Sequence, residues 1–206
     1  VVSMGPPQAD VALREALAMG CDEAILVSGR EFGGSDTYAT SGILAAALRK
    51  IGYDLIITGR QAIDGDTAQV GPQIAEKVGV PQVSYVEEVK EATPDYIVVK
   101  RQFEDGYHII KIKTPCLLTA IAELATPRYM TVRGIVEAYE KEIKILGFED
   151  LKDDLELDMI GLKGSPTNVY QSFTKEVKGA GTILKDLSAD EAVKAIVAKL
   201  EEKFII

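Results

Sequence analysis

The sequence predicts an α/β fold: a mainly parallel, Rossmann-like sheet with helices on both faces, an antiparallel hairpin excursion and a C-terminal helical arm. Three observations lead there. Short apolar runs at Val1–Met4, Ala24–Val27 and Asp54–Thr58 alternate with stretches of helical periodicity. That β-α-β-α-β-α rhythm calls for parallel strands joined by right-handed crossovers. From Val83 the rhythm changes to short β-rich segments separated by turn residues. Near the end, Ser188-Ala-Asp-Glu191 forms a capping box ahead of a last helical pattern.

The elements follow in order. Val1-Val2-Ser3 reads as the end of a strand already under way, and Gly5-Pro6-Pro7 as a turn. Asp10 is placed to cap a helix whose Leu13, Ala16 and Leu17 share a face, with Gly20 as its stop. After Ala24–Val27 comes the Gly-rich loop Ser28–Asp36. Gly33-Gly34 before Ser35-Asp36 offers a flank for a nucleotide, but the loop lacks phosphate-loop spacing, so a mobile connection whose task is the Asp36 cap is the favoured expectation. Asp36 then opens a helix over Tyr38–Lys50, with Leu44, Ala47, Leu48 and Ile51 inward and Gly52 at its end. Asp54–Thr58 is the third strand. Ile74, Ala75 and Val78 mark a further helix that stops at Gly79.

Ser84–Val89, Tyr96–Gln102 and Tyr107–Lys113 are the hairpin strands, with Thr93-Pro94-Asp95 and Glu104-Asp105-Gly106 as turns. Cys116–Ala120 returns as a buried strand. A loop with Pro-Arg-Tyr leads to a helix over Glu137–Glu142, and Ile143–Leu146 is one more strand. Phe148–Met159 is acidic and weakly periodic, and Gly164–Ser172 is irregular. The last helix turns Val193, Ile196, Val197 and Leu200 to one side and ends in Phe204-Ile205-Ile206. An apolar end of this kind is consistent with burial against another surface.

The 206 residues suit one domain with an appendage, and 47% hydrophobic residues suffice for a core. The 23 basic and 32 acidic residues give a net charge of −9, which disfavours nonspecific nucleic-acid or anionic-membrane binding. No apolar run approaches a membrane span, and no signal-peptide pattern is read. Cys21 and Cys116 stand far apart without metal-ligand spacing, so reduced thiols and a cytoplasmic setting are expected. His108, in a strand beside Tyr107, is expected at the surface and not as a base or ligand.

The stretch Asp54–Pro72 carries the chemistry: buried strand, polar loop, helix. In a parallel sheet that junction is where ligands sit. A helix start presents free N–H groups and partial positive charge to a phosphate or pyrophosphate. Gly59 and Gly65 permit close approach, Thr67 and Gln69 offer a hydroxyl and an amide, and Arg60 offers a positive fork. Asp64 and Asp66 would repel phosphate, so capping or accepting from ribose hydroxyls suits them better. The helix start has two competing signals. Asp66 with Gln69 resembles a capping box, whereas Pro72 at the first helical position would make Gly71 the cap. A long surface loop before an ordinary capped helix reads equally well from pattern alone.

The run GRQAIDGDTAQVGP resembles the nucleotide-binding loop of the electron-transfer flavoprotein beta subunit: a basic residue at Arg60, then Gln61-Ala62-Ile63-Asp64, an acidic Asp66, and Gln69-Val70-Gly71. The ALAMG run at Ala16–Gly20 and the Pro-Arg-Tyr loop resemble it too. The resemblance implies an adenine nucleotide alpha hydrolase-like fold in which a further strand–helix segment precedes Val1. It implies a nucleotide domain over 1–147, hairpins 83–113 included, and an arm over 148–206 that packs on an alpha subunit. It implies cofactor contacts from Ser3, Met4 and Gly59 through Gly71, Ala68 among them, and no catalytic acid, base or nucleophile.

Arg128, Tyr129 and Val132 match the family's partner-recognition loop, with Val132 at the place of its protruding aliphatic anchor. Packing of Val132 in the core is the alternative, and Arg128 has the alternative of a surface salt bridge. The acidic helix after it departs from relatives that carry a lysine run. Gly65, Thr67 and Val70-Gly71-Pro72 look more like the electron-bifurcating members. These hold FAD, with AMP the alternative, react with NADH, and pass electrons to acyl-CoA dehydrogenase-type partners. Two other readings keep the α/β architecture: a signalling domain without a redox role, and an ATP-using ligase or pyrophosphatase-like enzyme. Ser28-Gly29 is a poor match to the phosphate loop that the second would need.

Overall fold

The strand Ala24–Val27 (β2) is buried at all four positions, and its alternation organises the first half of the molecule. Ile25 and Val27 face the helix Thr37–Ile51 (α2) and the short helix Phe148–Leu151 (α5), meeting Ile43, Ala46, Ala47 and Leu151. Ala24 and Leu26 face the other way, onto Asp10–Ala18 (α1) and Val132–Glu140 (α4), meeting Leu13, Leu17 and Ala138. A strand covered on both faces must be apolar throughout, as a parallel strand between helix layers is. In this computed structural model, which describes residues 1–174, 179 and 181–206, β2 is the centre of three parallel strands. Their order is Val2–Met4 (β1), β2 and Ile143–Leu146 (β8).

Five strands form a second sheet. Its order is Leu55–Gly59 (β3), Cys116–Ala120 (β7), Gln82–Ala92 (β4), Tyr96–Phe103 (β5) and Gly106–Lys113 (β6). The β3–β7–β4 part is parallel and the β4–β5–β6 part antiparallel. The fold class is therefore the one predicted, with its parallel units and hairpin excursion. Its strands divide between two sheets instead of running in one. The run Cys116-Leu117-Leu118, wholly buried, takes the interior place in the second sheet. Leu117 packs with Ile56, Ile74 and Ala75 beneath the helix Val70–Val78 (α3), while Cys116 and Leu118 join Val83, Val86, Val99 and Ile112 of the hairpins.

Helix ends repay the sequence signals unevenly. Asp36 accepts from the N–H groups of Tyr38 and Ala39 as a cap should, and Gly52 and Gly79 end α2 and α3. Asp10 does not cap. A 3-10 turn at Pro7–Ala9 runs into α1, so Asp10 is the first helical residue and pairs with Arg14 at 3.3 Å. Helix α4 begins at Val132, well before Glu137, because Thr131 caps it by accepting from Gly134 N–H.

The chain forms two compact units, Val1–Asn168 and Val169–Ile206. The first extends past residue 147 because Leu151 and Ile160 belong to its core. The second contains the helix Ala189–Glu202 (α6), opened by the expected Ser188–Glu191 box. None of its described residues is buried, and Val193, Ile196 and Val197 are exposed. Among the described residues no helix is long and apolar enough to cross a membrane.

Candidate functional site

The loop between β3 and α3 leaves its strand after Gly59 and stands open. Ile63 is 100% exposed, and Asp64, Gly65, Asp66 and Thr67 are exposed around it. Ala62 is exposed and Ala68 half-buried. Asp66 and Ala68 both adopt left-handed backbones, at φ 50° and 53°. Asp tolerates that region through its short polar side chain, but Ala has no such help, so the loop stores strain. Internal hydrogen bonds hold the shape. Asp66 N–H donates to the Ala62 carbonyl at 2.9 Å, Gln61 Nε2 donates to Asp66 Oδ1, and Arg60 Nε donates to Gln61 Oε1 at 3.1 Å.

Neither expected cap is used. Helix α3 starts at Val70 after Gln69, and no side chain caps it. The Asp66 carboxylate is turned to Gln61, and Gln69 Oε1 accepts instead from Thr37 Oγ1 of α2 at 2.8 Å. The N–H groups of Val70 and Gly71 are thus left for another acceptor, at the positive end of a helix dipole. Gly71 is buried because the helix start presses on the sheet: a Cβ there would lie 2.6 Å from Thr58 Oγ1 and 2.9 Å from Thr119 Cγ2. Around Gly59 and Gly65 a Cβ would meet nothing within 4 Å, so protein packing does not demand glycine at either place. Arg60 lines a cleft of about 470 Å³ with Tyr85, Gln102, Phe103 and Glu104.

A second crevice of about 360 Å³ opens where β1 and β2 end, lined by Met4, Gly5, Val27, Gly29, Phe32 and Thr40, among others. Ser3 stays in the ladder opposite Leu26. The loop Ser28–Asp36 is tied down, contrary to the mobile connection expected. Phe32 is 3% exposed in the core, and Ser35 Oγ donates to Phe32 O and accepts from Gly161 N–H. Asp36 accepts from Thr167 N–H and Oγ1 at 3.0 and 2.8 Å besides its two helix N–H groups. Ser165 Oγ receives Asp36 N–H at 2.8 Å. The Ser165-Pro166-Thr167 segment, which carried no chemistry in the sequence, is a strap over this loop. Burial pushes the Asp36 carboxyl up, but the bonds from Ala39, Thr167 and Tyr38 outweigh it and hold the group below its ordinary range.

The Pro-Arg-Tyr loop also resolves its alternatives. Arg128 donates to the Gly20 carbonyl at 3.3 Å at the end of α1, so its partner is a backbone group and not a carboxylate. Tyr129 is 90% exposed and Val132 81% exposed, which removes the core alternative for Val132. His108 is exposed and stacks on Phe103 at 4.9 Å. Cys21 and Cys116 are free thiols.

Residues 1–151 match the electron transfer flavoprotein domain. The chain belongs to the electron transfer flavoprotein beta-subunit family. Over its whole length it is 54% identical to the electron transfer flavoprotein subunit beta of Clostridium acetobutylicum, spanning 78% of that protein. It is 54% identical to the acryloyl-CoA reductase electron transfer subunit gamma of Anaerotignum propionicum and 51% identical to the caffeyl-CoA reductase-Etf complex subunit CarD of Acetobacterium woodii. In each case it covers all of this chain and 78% of the relative. Helix α2 lines the second crevice through Thr40 and reaches the start of α3 through Thr37 and Gln69, but the structure does not bring Met4 and Arg60 into one pocket. Sequence reasoning missed Thr37, Tyr85 and the strap. Thr37 follows the cap Asp36 and so could have been flagged as a helix-start hydroxyl, whereas the others carry no local mark.

Proposed function

We propose that this chain is the small subunit of a heterodimeric electron-transfer flavoprotein. It holds FAD against the loop from Gly59 to Gly71, beside an alpha subunit that carries a second FAD. The observation that carries this reading is the uncapped start of α3 behind a strained, exposed loop that also bears Arg60. These residues fit a nucleotide diphosphate: free N–H groups of Val70 and Gly71 for phosphate oxygens, Arg60 for negative charge, and the Met4 slot for an adenine. The flavin would supply the redox chemistry, taking a hydride's two electrons from NADH and passing them on by bifurcation. The chain's own task is to bind, orient and polarise. Arg60 is held by Gln61, and its guanidinium charge favours an anionic reduced ring.

The relatives named for acryloyl-CoA and caffeyl-CoA reductases support an acyl-CoA dehydrogenase-type partner. The exposed Val132 and Tyr129, at the mouth of α4, are the proposed contact, with Arg128 bracing the loop on Gly20. Acid extraction of the purified complex followed by chromatography tests the cofactor. Two FAD per heterodimer, bleached by NADH, is the expected result. One FAD with one AMP overturns the bifurcating reading and leaves a simple electron carrier, while no nucleotide removes the redox role. Val132→Ala tests the contact: electron transfer to the partner should slow about tenfold, while stability changes by less than about 0.5 kcal/mol. A large loss of melting temperature with normal transfer would exclude Val132 as an anchor.

A further inference from the structure

Tyr85 lies in β4 with φ 59°, a conformation that a bulky aromatic residue rarely adopts. It sits where the parallel pairing of β4 with β7 jumps from Val83 to Val86. The one extra residue turns Tyr85 N–H off the ladder, and Thr119 Oγ1, on the buried side chain of β7, accepts it at 3.0 Å. Glycine or asparagine would occupy such a turn at lower cost. What the tyrosine adds is its ring. Arg60 Cζ lies 5.2 Å and Arg101 Cζ 6.0 Å from the ring centroid, and Tyr85 lines the same cleft as Arg60. Among the described residues Arg60 hydrogen-bonds only to the neutral Gln61, and Arg101 donates through Nη2 to Ser84 Oγ at 3.3 Å while its buried Nε has no partner. Arg101 Cζ also lies 5.6 Å from the Phe103 ring, and Glu104 lines the cleft without an ion pair to either guanidinium among the described residues; the Tyr85 ring is close to both cations and keeps Arg60 at the wall that Arg101 occupies.

We propose that Tyr85 is a positioning residue. Its strained backbone, locked by Thr119, aims an aromatic face that gathers Arg60 and Arg101 into a cationic wall for the anionic part of a bound nucleotide. This rests on the nucleotide reading of the loop, and it assigns the cleft beyond the loop a share in binding. The test uses the complex as purified, stripped of nucleotide and titrated with FAD and with AMP in a calorimeter, with melting temperature measured in parallel. Tyr85→Gly relieves the backbone and removes the ring. It should keep or raise the melting temperature of the stripped complex while weakening binding of the better-bound nucleotide roughly three- to tenfold. Tyr85→Phe keeps ring and backbone and should restore wild-type affinity. A Tyr85→Gly complex that melts earlier yet binds both nucleotides like wild type overturns the proposal and makes Tyr85 a packing residue. A wild-type complex that binds neither nucleotide overturns the nucleotide reading itself, and this proposal with it.

Discussion

Two loops leave the ends of parallel strands and enter helices, and they solve the same problem in opposite ways. Ser28–Asp36 closes on itself. Its Phe32 fills the core, its Ser35 and Asp36 are satisfied by Gly161, Ser165 and Thr167, and its helix is capped by its own aspartate. The loop from Arg60 to Gln69 does none of this. Its one large apolar residue, Ile63, points to solvent, its Asp66 is spent on Gln61, and among the described residues its helix has no side-chain cap. Both backbones contain unusual conformations, but only the second puts non-glycine residues at positive φ. A loop whose Ser35 and Asp36 are satisfied from within offers a ligand the wall of a crevice, through Gly29 and Phe32, and not its helix start. One that leaves helix N–H groups unpaired in a fixed geometry can present them to an acceptor from outside, as the proposed nucleotide site requires.

The contrast breaks most severely at Gly71. Valine there would drive its branch into Thr58 Oγ1 and Thr119 Cγ2, both carried by strands that cannot retreat. Gly71→Val should cost about 3 kcal/mol in urea unfolding, the upper end of overpacking effects. It should also lift the start of α3 off the sheet and empty the complex of nucleotide. Loss of stability with full nucleotide retention would show that the helix start is not part of the binding surface.

Much of this was legible in the sequence, and the reasons divide cleanly. Apolar runs and helical spacing identified strands and helices because burial enforces those periods locally: Ala24–Val27 and the Ile74-Ala75-Val78 face behave as read, whereas Leu55–Ile57, expected to be buried, is a strand at the sheet edge with Ile57 57% exposed. Caps that work over three residues, at Asp36 and Ser188, were readable for the same reason. The start of α3 was not, since Asp66 and Pro72 gave rival signals and the structure obeys neither. Contacts that close across distant sequence left no trace. Thr167 reaches Asp36 from 131 residues away, and Tyr85 hides a left-handed backbone inside a run of good strand formers. The division into two sheets likewise depends on which strands pair, which no single strand records.

The closed loop should answer to its aspartate. Asp36→Ala removes two helix caps and the Thr167 tie together and should cost about 1–2 kcal/mol at pH 7. The sign of its pH dependence follows from a carboxyl held below its ordinary range in the folded state. The stabilisation is whole above the unfolded value, near about pH 4, and drains away as pH falls through the lower folded value. Urea midpoints of wild type and variant should therefore differ at pH 7 and converge toward pH 2. A gap that stayed constant would mean that the charge on Asp36 does not matter.

The open loop should answer most gently, and in the opposite direction, at Ala68. Holding an L-residue at φ 53° costs about 1–2 kcal/mol, and glycine gives back about 0.5–1 kcal/mol of that through the freedom it gains when unfolded. Ala68→Gly should then raise the stability of the nucleotide-free complex by about 0.5–1 kcal/mol, a sign that loop substitutions at well-satisfied positions do not give. The same change frees the loop to wander in the unbound state, so ordering it on binding costs more. Affinity for FAD or AMP should fall by about two- to fivefold. Higher stability with weaker binding is the combination expected of strain kept for a ligand. Higher stability with unchanged binding would mean that the strain at Ala68 serves nothing in the site, and would leave the uncapped helix start and Arg60 as the whole of the loop's contribution.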